Sequence, residues 1–406
     1  MDRAINPYEL SDTALYTEDR WHAPFAALRR DMPVSYRAES PYGPYWSVVT
    51  HDLIQQVEGD PDIFSSASEL GGITIQDALG EEEFPNFIAM DRPRHTAQRK
   101  AVQPAFNPSE MVRREGEIRQ RTKDLLDGLP IGETFDWVER VSIKLTIGML
   151  IILFDMDWAD APDLKRWSDY ASNVHPDHSE EWRAEFLVQM GQMLMRFDAI
   201  LEAKRALPPT DDLMSRMVHS EAMGNLDPFE RIANIALLIV GGNDTTRNSM
   251  SGFVHAAHLF PDTLDWMRAD PALIANAAQE TIRWQSPVTH MRRTAAADTV
   301  LNGQKIAKGD KIILWYISGN RDESLFPDPD RFDVGRANAR RHIGFGFGVH
   351  RCVGARLAEL QLSILFEEMV SRNISVVPAG EPERLASPFL HGFVHMPVQI
   401  IKGPTP

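Results

Sequence analysis

Residues 345–354 read Phe345-Gly346-Phe347-Gly348-Val349-His350-Arg351-Cys352-Val353-Gly354, and they contain the only cysteine among 406 residues. Three glycines in ten positions permit a tight loop whose N–H groups can converge on one sulfur. Downstream, Leu357, Leu360, Ile364 and Leu365 mark one face of a helix, and its N-terminal end would lie beside that sulfur. Both features favour thiolate over thiol. A lone cysteine is ordinarily an inert buried thiol; this one sits where a metal-ligating thiolate would be made. Upstream, Ser324 to Arg341 reads as an irregular meander with Pro327, Pro329 and Gly335, and loops of that length in compact proteins usually serve a function.

Composition narrows the function classes. Lys and Arg number 42 against 58 Asp and Glu, a net charge of −16, which opposes a polyanion backbone and disfavours nucleic acid. Small molecules or proteins are the expected partners. One cysteine cannot build a disulfide framework, a zinc ribbon or an iron–sulfur cluster, and the C-x-x-C-H of a c-type haem is absent. The segment Met1–Pro7 has no apolar run, so secretion is not expected and a cytoplasmic location is. The most apolar stretch, Val141–Phe154, carries Ser142, Lys144 and Thr146 and is shorter than the ~20 residues of a membrane span. No linker or repeat interrupts the chain, which predicts one domain over 1–406: mainly α with a smaller β part. Its β-rich portions are expected near 30–65, 285–320 and 375–402, with Asn302-Gly303 as a hairpin turn.

The middle is helical. Apolar residues recur at three- and four-residue spacing in Ile118–Leu129, Phe186–Ala206 and Pro228–Leu259. Asp227 can cap the last of these and Pro228 suits its first position, so that some thirty residues run before Phe260-Pro261. Gly241 and Gly242 interrupt it near the centre, each at a cost of ~1 kcal/mol relative to Ala. Either they form a packing notch, or the helix is weakened there to admit a ligand, with Thr245 bonding back to the Gly241 carbonyl.

The loop F-G-x-G-x-H-x-C-x-G resembles the haem-binding loop of the cytochrome P450 superfamily. That resemblance implies the P450 fold, a haem b ligated axially by Cys352, and Phe345, Gly346 and Gly354 around it. It makes Gly241–Thr246 similar to the family's oxygen-activation segment. Thr245 is then the hydroxyl that hydrogen-bonds the oxygen being activated and Asp244 the acid that relays protons to it. Of five E-x-x-R sequences, only Glu280-Thr281-Ile282-Arg283 lies between the long helix and the cysteine loop. The resemblance gives it a structural role, with Arg331 completing a buried Glu–Arg–Arg core. The haem propionates are expected on His95, Arg99, His350 and Arg293, although Arg292 could replace Arg293 because sequence does not say which side of a strand faces in.

The same resemblance implies O2 as co-substrate and electrons from NAD(P)H through a reductase and a 2Fe-2S ferredoxin. Arg113, Arg114, Arg340, Arg341, Arg351 and Arg356 form a basic patch that could receive such an acidic donor. Several stretches, among them Gly71–Ile75 and Pro287–Arg293, are similar to bacterial P450s that hydroxylate alkanes and fatty acids at the terminal carbon. Leu237, Val240, Gly241, Val288 and Phe389 are then the expected substrate contacts, with Ile73–Leu79 and Leu390 lining access. A hydroxylase of sterols or terpenoids and a non-catalytic haem sensor or carrier are the alternatives. A metal hydrolase built on His255 and His258 lacks a carboxylate at the required offset.

Overall fold

Asp227 opens the long helix by accepting the N–H groups of Phe229 and Glu230 at 2.9 and 3.1 Å. In the computed structural model, which describes residues 3–77, 85–173 and 178–402, this helix runs unbroken over Pro228–Leu259. Its 32 residues span ~48 Å. The two ends serve different cores. Ile232, Ile235, Leu238 and Ile239 pack with Leu150, Leu153 and Phe197; Met250, Phe253, Val254 and Ala256 pack with Phe332, Leu362 and Phe366. Between them lies the polar stretch 240–249, which belongs to neither.

Helices Lys144–Phe154, Ala161–Ala171, Glu180–Arg205 and Ile274–Gln285 surround the long helix. The strands lie at 34–65, 134–136, 291–314 and 374–402. The larger sheet has the order Val34–Arg37, Tyr45–Val48, Lys311–Leu314, Met291–Ala295, Phe64–Ser65. Thr134–Asp136 joins Pro397–Lys402 and Ile374–Pro378 in a second sheet. Asn302 and Gly303, with φ of 48° and 76°, turn Thr299–Leu301 back onto Gln304–Ile306. The architecture is mainly helical with a smaller β part, as the sequence implies. Among the described residues no helix is long and apolar enough to cross a membrane.

The meander that precedes the cysteine loop has no ladder to hold it, and Glu280 does so instead. Arg283 grips the Glu280 carboxylate through Nε at 2.7 Å and Nη2 at 2.8 Å, both side chains having no exposed surface. The second guanidinium belongs to Arg336, whose Nε lies 3.0 Å from Glu280 Oε1. This corrects the assignment of Arg331, an exposed residue that contributes its carbonyl oxygen, 3.0 Å from Arg283 Nη2 and from Arg336 Nη2. E-x-x-R fixes the first two partners, while which later arginine completes the triad depends on how the meander folds.

Removing one partner of a buried ion pair costs about 3–5 kcal/mol. Arg336→Ala should lower unfolding stability by that order, whereas Arg331→Ala should stay within about 0.5 kcal/mol. Denaturant unfolding of the two variants measures this directly; equal losses would restore Arg331 to the core.

Candidate active site

Gly346 and Gly348, both at φ 65°, curl the loop around its cysteine. At Gly348 a Cβ would sit 2.4 Å from the Glu58 carbonyl oxygen, so this position must be glycine on two counts. Gly354 is different: with φ −86° it caps the helix Ala355–Ser371, and a Cβ there would meet nothing closer than 4.0 Å. The Cys352 N–H donates to Phe345 O at 2.8 Å, closing the loop. Cys352 is exposed to a cavity deep in the protein, and that depth raises the thiol pKa, opposed by the Gly354 N–H and by Arg99 and Arg351.

Cys352 opens onto a cavity of about 440 Å³, within the range of small-molecule sites. Phe345, Gly346, His350, Gly354, Arg99 and Arg293 line it together with Cys352. Thr245, Gly241, Leu237, Val240, Val288 and Phe389 line it as well, as do Ile73 and Leu390. Residues 78 and 79 of the expected access segment lie outside the described residues. The glycine pair divides between the two readings of it. A Cβ on Gly242 would come within 2.7 Å of Leu150 Cδ2, while one on Gly241 would meet nothing within 4 Å; Gly242 is the notch and Gly241 faces the cavity. Thr245 Oγ1 donates to Gly241 O at 2.8 Å.

Asp244 does not line the cavity. It is fully buried behind the helix, paired with Arg247 Nη2 at 2.7 Å and hydrogen-bonded by Ser168 Oγ at 3.1 Å and Asn243 Nδ2 at 3.1 Å. Burial raises its pKa against the opposing pull of Arg247. Ser172, which also bonds the Asp244 carboxyl, does reach the cavity.

The arginine ambiguity is resolved by register. Arg293 stands opposite Ile312, lines the cavity and donates to Glu58 Oε1 at 3.0 Å. Arg292 points the other way, toward Asp77 and the Leu70 carbonyl. Arg99 Nη2 reaches Arg351 O at 2.6 Å. His95 does not itself line the cavity but packs behind His350, its ring 4.2 Å from that residue's. Burial, aided by nearby arginines, holds His95 down to about 4 and His350 down to about 2. Both nitrogens of His95, Nδ1 of His350 and Oε2 of Glu58 are buried with no hydrogen-bond partner in the protein. Orphaned polar atoms at that density ask for a polar ligand. Two guanidinium groups, one imidazole and a sulfur line one cavity, with a second imidazole behind the first; they fit a haem, whose propionates would accept from the guanidinium and imidazole N–H groups and whose iron would take the sulfur.

Sequence reading missed Glu58 and the helix residues Leu153, Phe186 and Met190 that also wall the cavity. A glutamate in His51–Gly59 reads as a solvated position; only the glycines that crowd it hint otherwise. The basic patch is smaller than expected. Arg114 is buried and Arg113 is paired to Glu110 at 2.6 Å, whereas Arg340, Arg341 and Arg351 are exposed around a second recess of about 210 Å³ that the loop also bounds. Among the described residues no cluster of three His, Cys, Asp or Glu could hold a metal ion.

Comparison with known proteins agrees with this geometry. Residues 266–400 match the family described as Cytochrome P450. The chain is 37% identical over 404 residues to linalool 8-monooxygenase of Pseudomonas putida, covering 97% of this chain and 98% of that one. It is 35% identical over 389 residues to a methyl-branched lipid omega-hydroxylase of Mycobacterium tuberculosis, covering 92% and 90%. The solved structure of cytochrome P450-153 from Novosphingobium aromaticivorans superposes with a TM-score of 0.93 at 50% identity, covering 97% of this chain and all of that one. The fold and site thus define a haem-dependent, O2-using enzyme. The chain belongs to the cytochrome P450 family and is a P450 monooxygenase.

Alanine at φ > 0 costs ~1–2 kcal/mol before any clash. Gly348→Ala should therefore purify largely without haem, while Gly354→Ala keeps it, as read from the ratio of Soret to protein absorbance. Equal haem content in the two would show that the approach of the loop to Glu58 is not limiting.

Proposed function

We propose that this enzyme hydroxylates the terminal carbon of medium- or long-chain alkanes or fatty acids, with Cys352 thiolate as the axial ligand of its haem. The observation that carries the reading is the division of charge in the cavity. Among the described lining residues, the ionisable ones are Glu58, Arg99, Arg293, Tyr316, His350 and Cys352, all at the cysteine end. The remainder of the wall is uncharged and largely apolar, with Leu237 and Val240 from the same helix as Thr245, and Val288 and Phe389 from later in the chain. An apolar chain gains ~25 cal/mol for each Å² it buries there, and no fixed charge competes for its orientation.

When bound, the haem supplies the redox chemistry by which one atom of O2 enters a C–H bond and the other leaves as water. The chain's own residues do the rest. Arg99, Arg293, His95 and His350 would hold the propionates and so set the height of the ring in the cavity. N–H groups of the loop steady the Cys352 sulfur and tune its donor strength. Thr245, its hydroxyl proton donated to Gly241 O, turns the hydroxyl oxygen to the cavity, where it would accept a hydrogen bond from the oxygen being activated. Asp244 supplies protons from behind the helix, with Ser172 as the hydroxyl that reaches from its carboxyl to the cavity. A terminal methyl is the least reactive carbon of a chain, so selectivity must come from walls that exclude the neighbouring methylene.

The reduced, CO-bound protein should show the strongly red-shifted Soret band of a thiolate-ligated haem, and Cys352→Ala should abolish it. An alkane series should shift the ferric spin state and yield primary alcohols. A shift confined to a terpenoid such as linalool, or to a sterol, would replace the substrate class while leaving the monooxygenase.

Electrons come from NAD(P)H through a reductase and an acidic 2Fe-2S ferredoxin, received at Arg340, Arg341, Arg351 and Arg356. These four exposed cations border the cysteine loop on a chain of net charge −16. Arg340→Glu/Arg341→Glu should slow reduction by such a ferredoxin roughly tenfold at low salt, and the difference should shrink as ionic strength rises. Unchanged rates would remove the patch.

A further inference from the structure

Glu58 is doubly misplaced for a structural residue. It lies in the last turn of His51–Gly59, where the helix dipole disfavours an anion, and its side chain is 1% exposed, where burial disfavours one again. Arg293 Nη2 and the Tyr316 hydroxyl both donate to Oε1. The Phe347 peptide N–H approaches the carboxyl without completing a hydrogen bond at Oε2, which has no geometric partner in a residue that lines the haem cavity.

Charge balance decides the protonation state. A haem b brings two carboxylates, and the described lining offers two guanidinium groups, Arg99 and Arg293. With Glu58 ionised, three carboxylates would share two cations in a region of low dielectric, and one carboxylate would go without. Like-charged acids in such a site cannot all ionise.

We propose that Glu58 is a proton-carrying positioning residue of the haem cradle: in its protonated form it donates Oε2–H to a haem carboxylate beside Arg293, and uptake of that proton is linked to reduction of the iron. The groups facing it are Arg293 from the strand Met291–Ala295, Tyr316 from the short helix Tyr316–Gly319 and the Phe347 peptide N–H from the cysteine loop. Burial raises the carboxyl above its ordinary range despite all three. Reduction adds one electron from the protein donor and makes the site more negative by one charge. Where the carboxyl is ionised in the ferric enzyme, reduction draws one proton from water onto the carboxylate, forming its O–H bond. The midpoint potential should then fall with rising pH over that window, by up to ~59 mV per tenfold change in proton activity.

The inference rests on a haem in this cavity, so the CO-bound spectrum is recorded first on the same sample, which separates failure of the haem reading from failure of this one. Spectroelectrochemical titration of the loaded wild-type enzyme across the neutral range should show the sloping segment. In Glu58→Gln, whose amide can still donate to the haem carboxylate, haem should be retained and the segment should vanish. The ferrous-minus-ferric infrared difference spectrum should lose its protonated-carboxyl C=O band in the same variant. Tyr316→Phe removes a donor that favours the ionised form, so the segment should move to higher pH, a result that serves even if Glu58→Gln binds haem poorly. A flat wild-type titration, an unchanged slope in Glu58→Gln, or a segment unmoved in Tyr316→Phe would each overturn the proposal.

Discussion

A carboxylate with no water around it holds the catalytic loop in place. Glu280 takes two hydrogen bonds from Arg283, one from Arg336 and one from the Asp333 N–H at 2.9 Å. The two guanidinium groups then spend their remaining donors on backbone carbonyls of an otherwise ladderless chain: Asn320, Pro329 and Arg331 for Arg283, and Pro327, Asp328 and Arg331 for Arg336. Buried carbonyls must be paired, and irregular backbone cannot pair them with itself. The ion triad is therefore a mould for the meander. Its net worth against an apolar substitute is small, but its geometry fixes where residue 342 emerges and hence where Cys352 points.

What the sequence discloses follows from how local each constraint is. The long helix announces itself through Asp227 and Pro228 at one end and Phe260-Pro261 at the other, because caps act within a single turn. The cysteine loop is legible for the same reason: glycines at 346 and 348 meet a local backbone demand. Arg331 and Arg336 could not be told apart, since the choice depends on a fold of the meander that is itself set by the triad. Arg292 and Arg293 differ only in sheet register, fixed by pairing with Lys311–Leu314. Asp244 and Thr245 are neighbours in sequence yet stand about 100° apart around a helix, so one meets the cavity and the other meets Arg247. Glu58 gave no signal, because burial of a glutamate is decided by the loop laid against it some 290 positions later in the chain.

The cavity unites these pieces by leaving a gap between two cores. Apolar residues of the long helix are committed on either side of 240–249, and the stretch between could not be apolar on all faces without filling the space it borders. Gly242 lets Lys144–Phe154 approach on one side, while Gly241 and Thr245 stay open on the other. The glycine pair thus brings the helix close to its neighbour and keeps it away from the ligand, two demands that one ordinary side chain could not satisfy together.

Charge is arranged to match. The chain carries −16 in total, yet the groups that converge on the cysteine end are guanidinium and imidazole, with one acid among them. A thiolate at Cys352 would need its negative charge compensated locally, because Coulomb interactions inside a protein are several-fold stronger than in water and distant surface acids are screened within ~8–10 Å. Arg99 opposes the Cys352 sulfur electrostatically and Arg293 opposes Glu58. The whole-chain charge therefore says little about the site. What surrounds the sulfur is a neighbourhood of guanidinium groups, an imidazole and one acid, set by local packing and not by the whole-chain average.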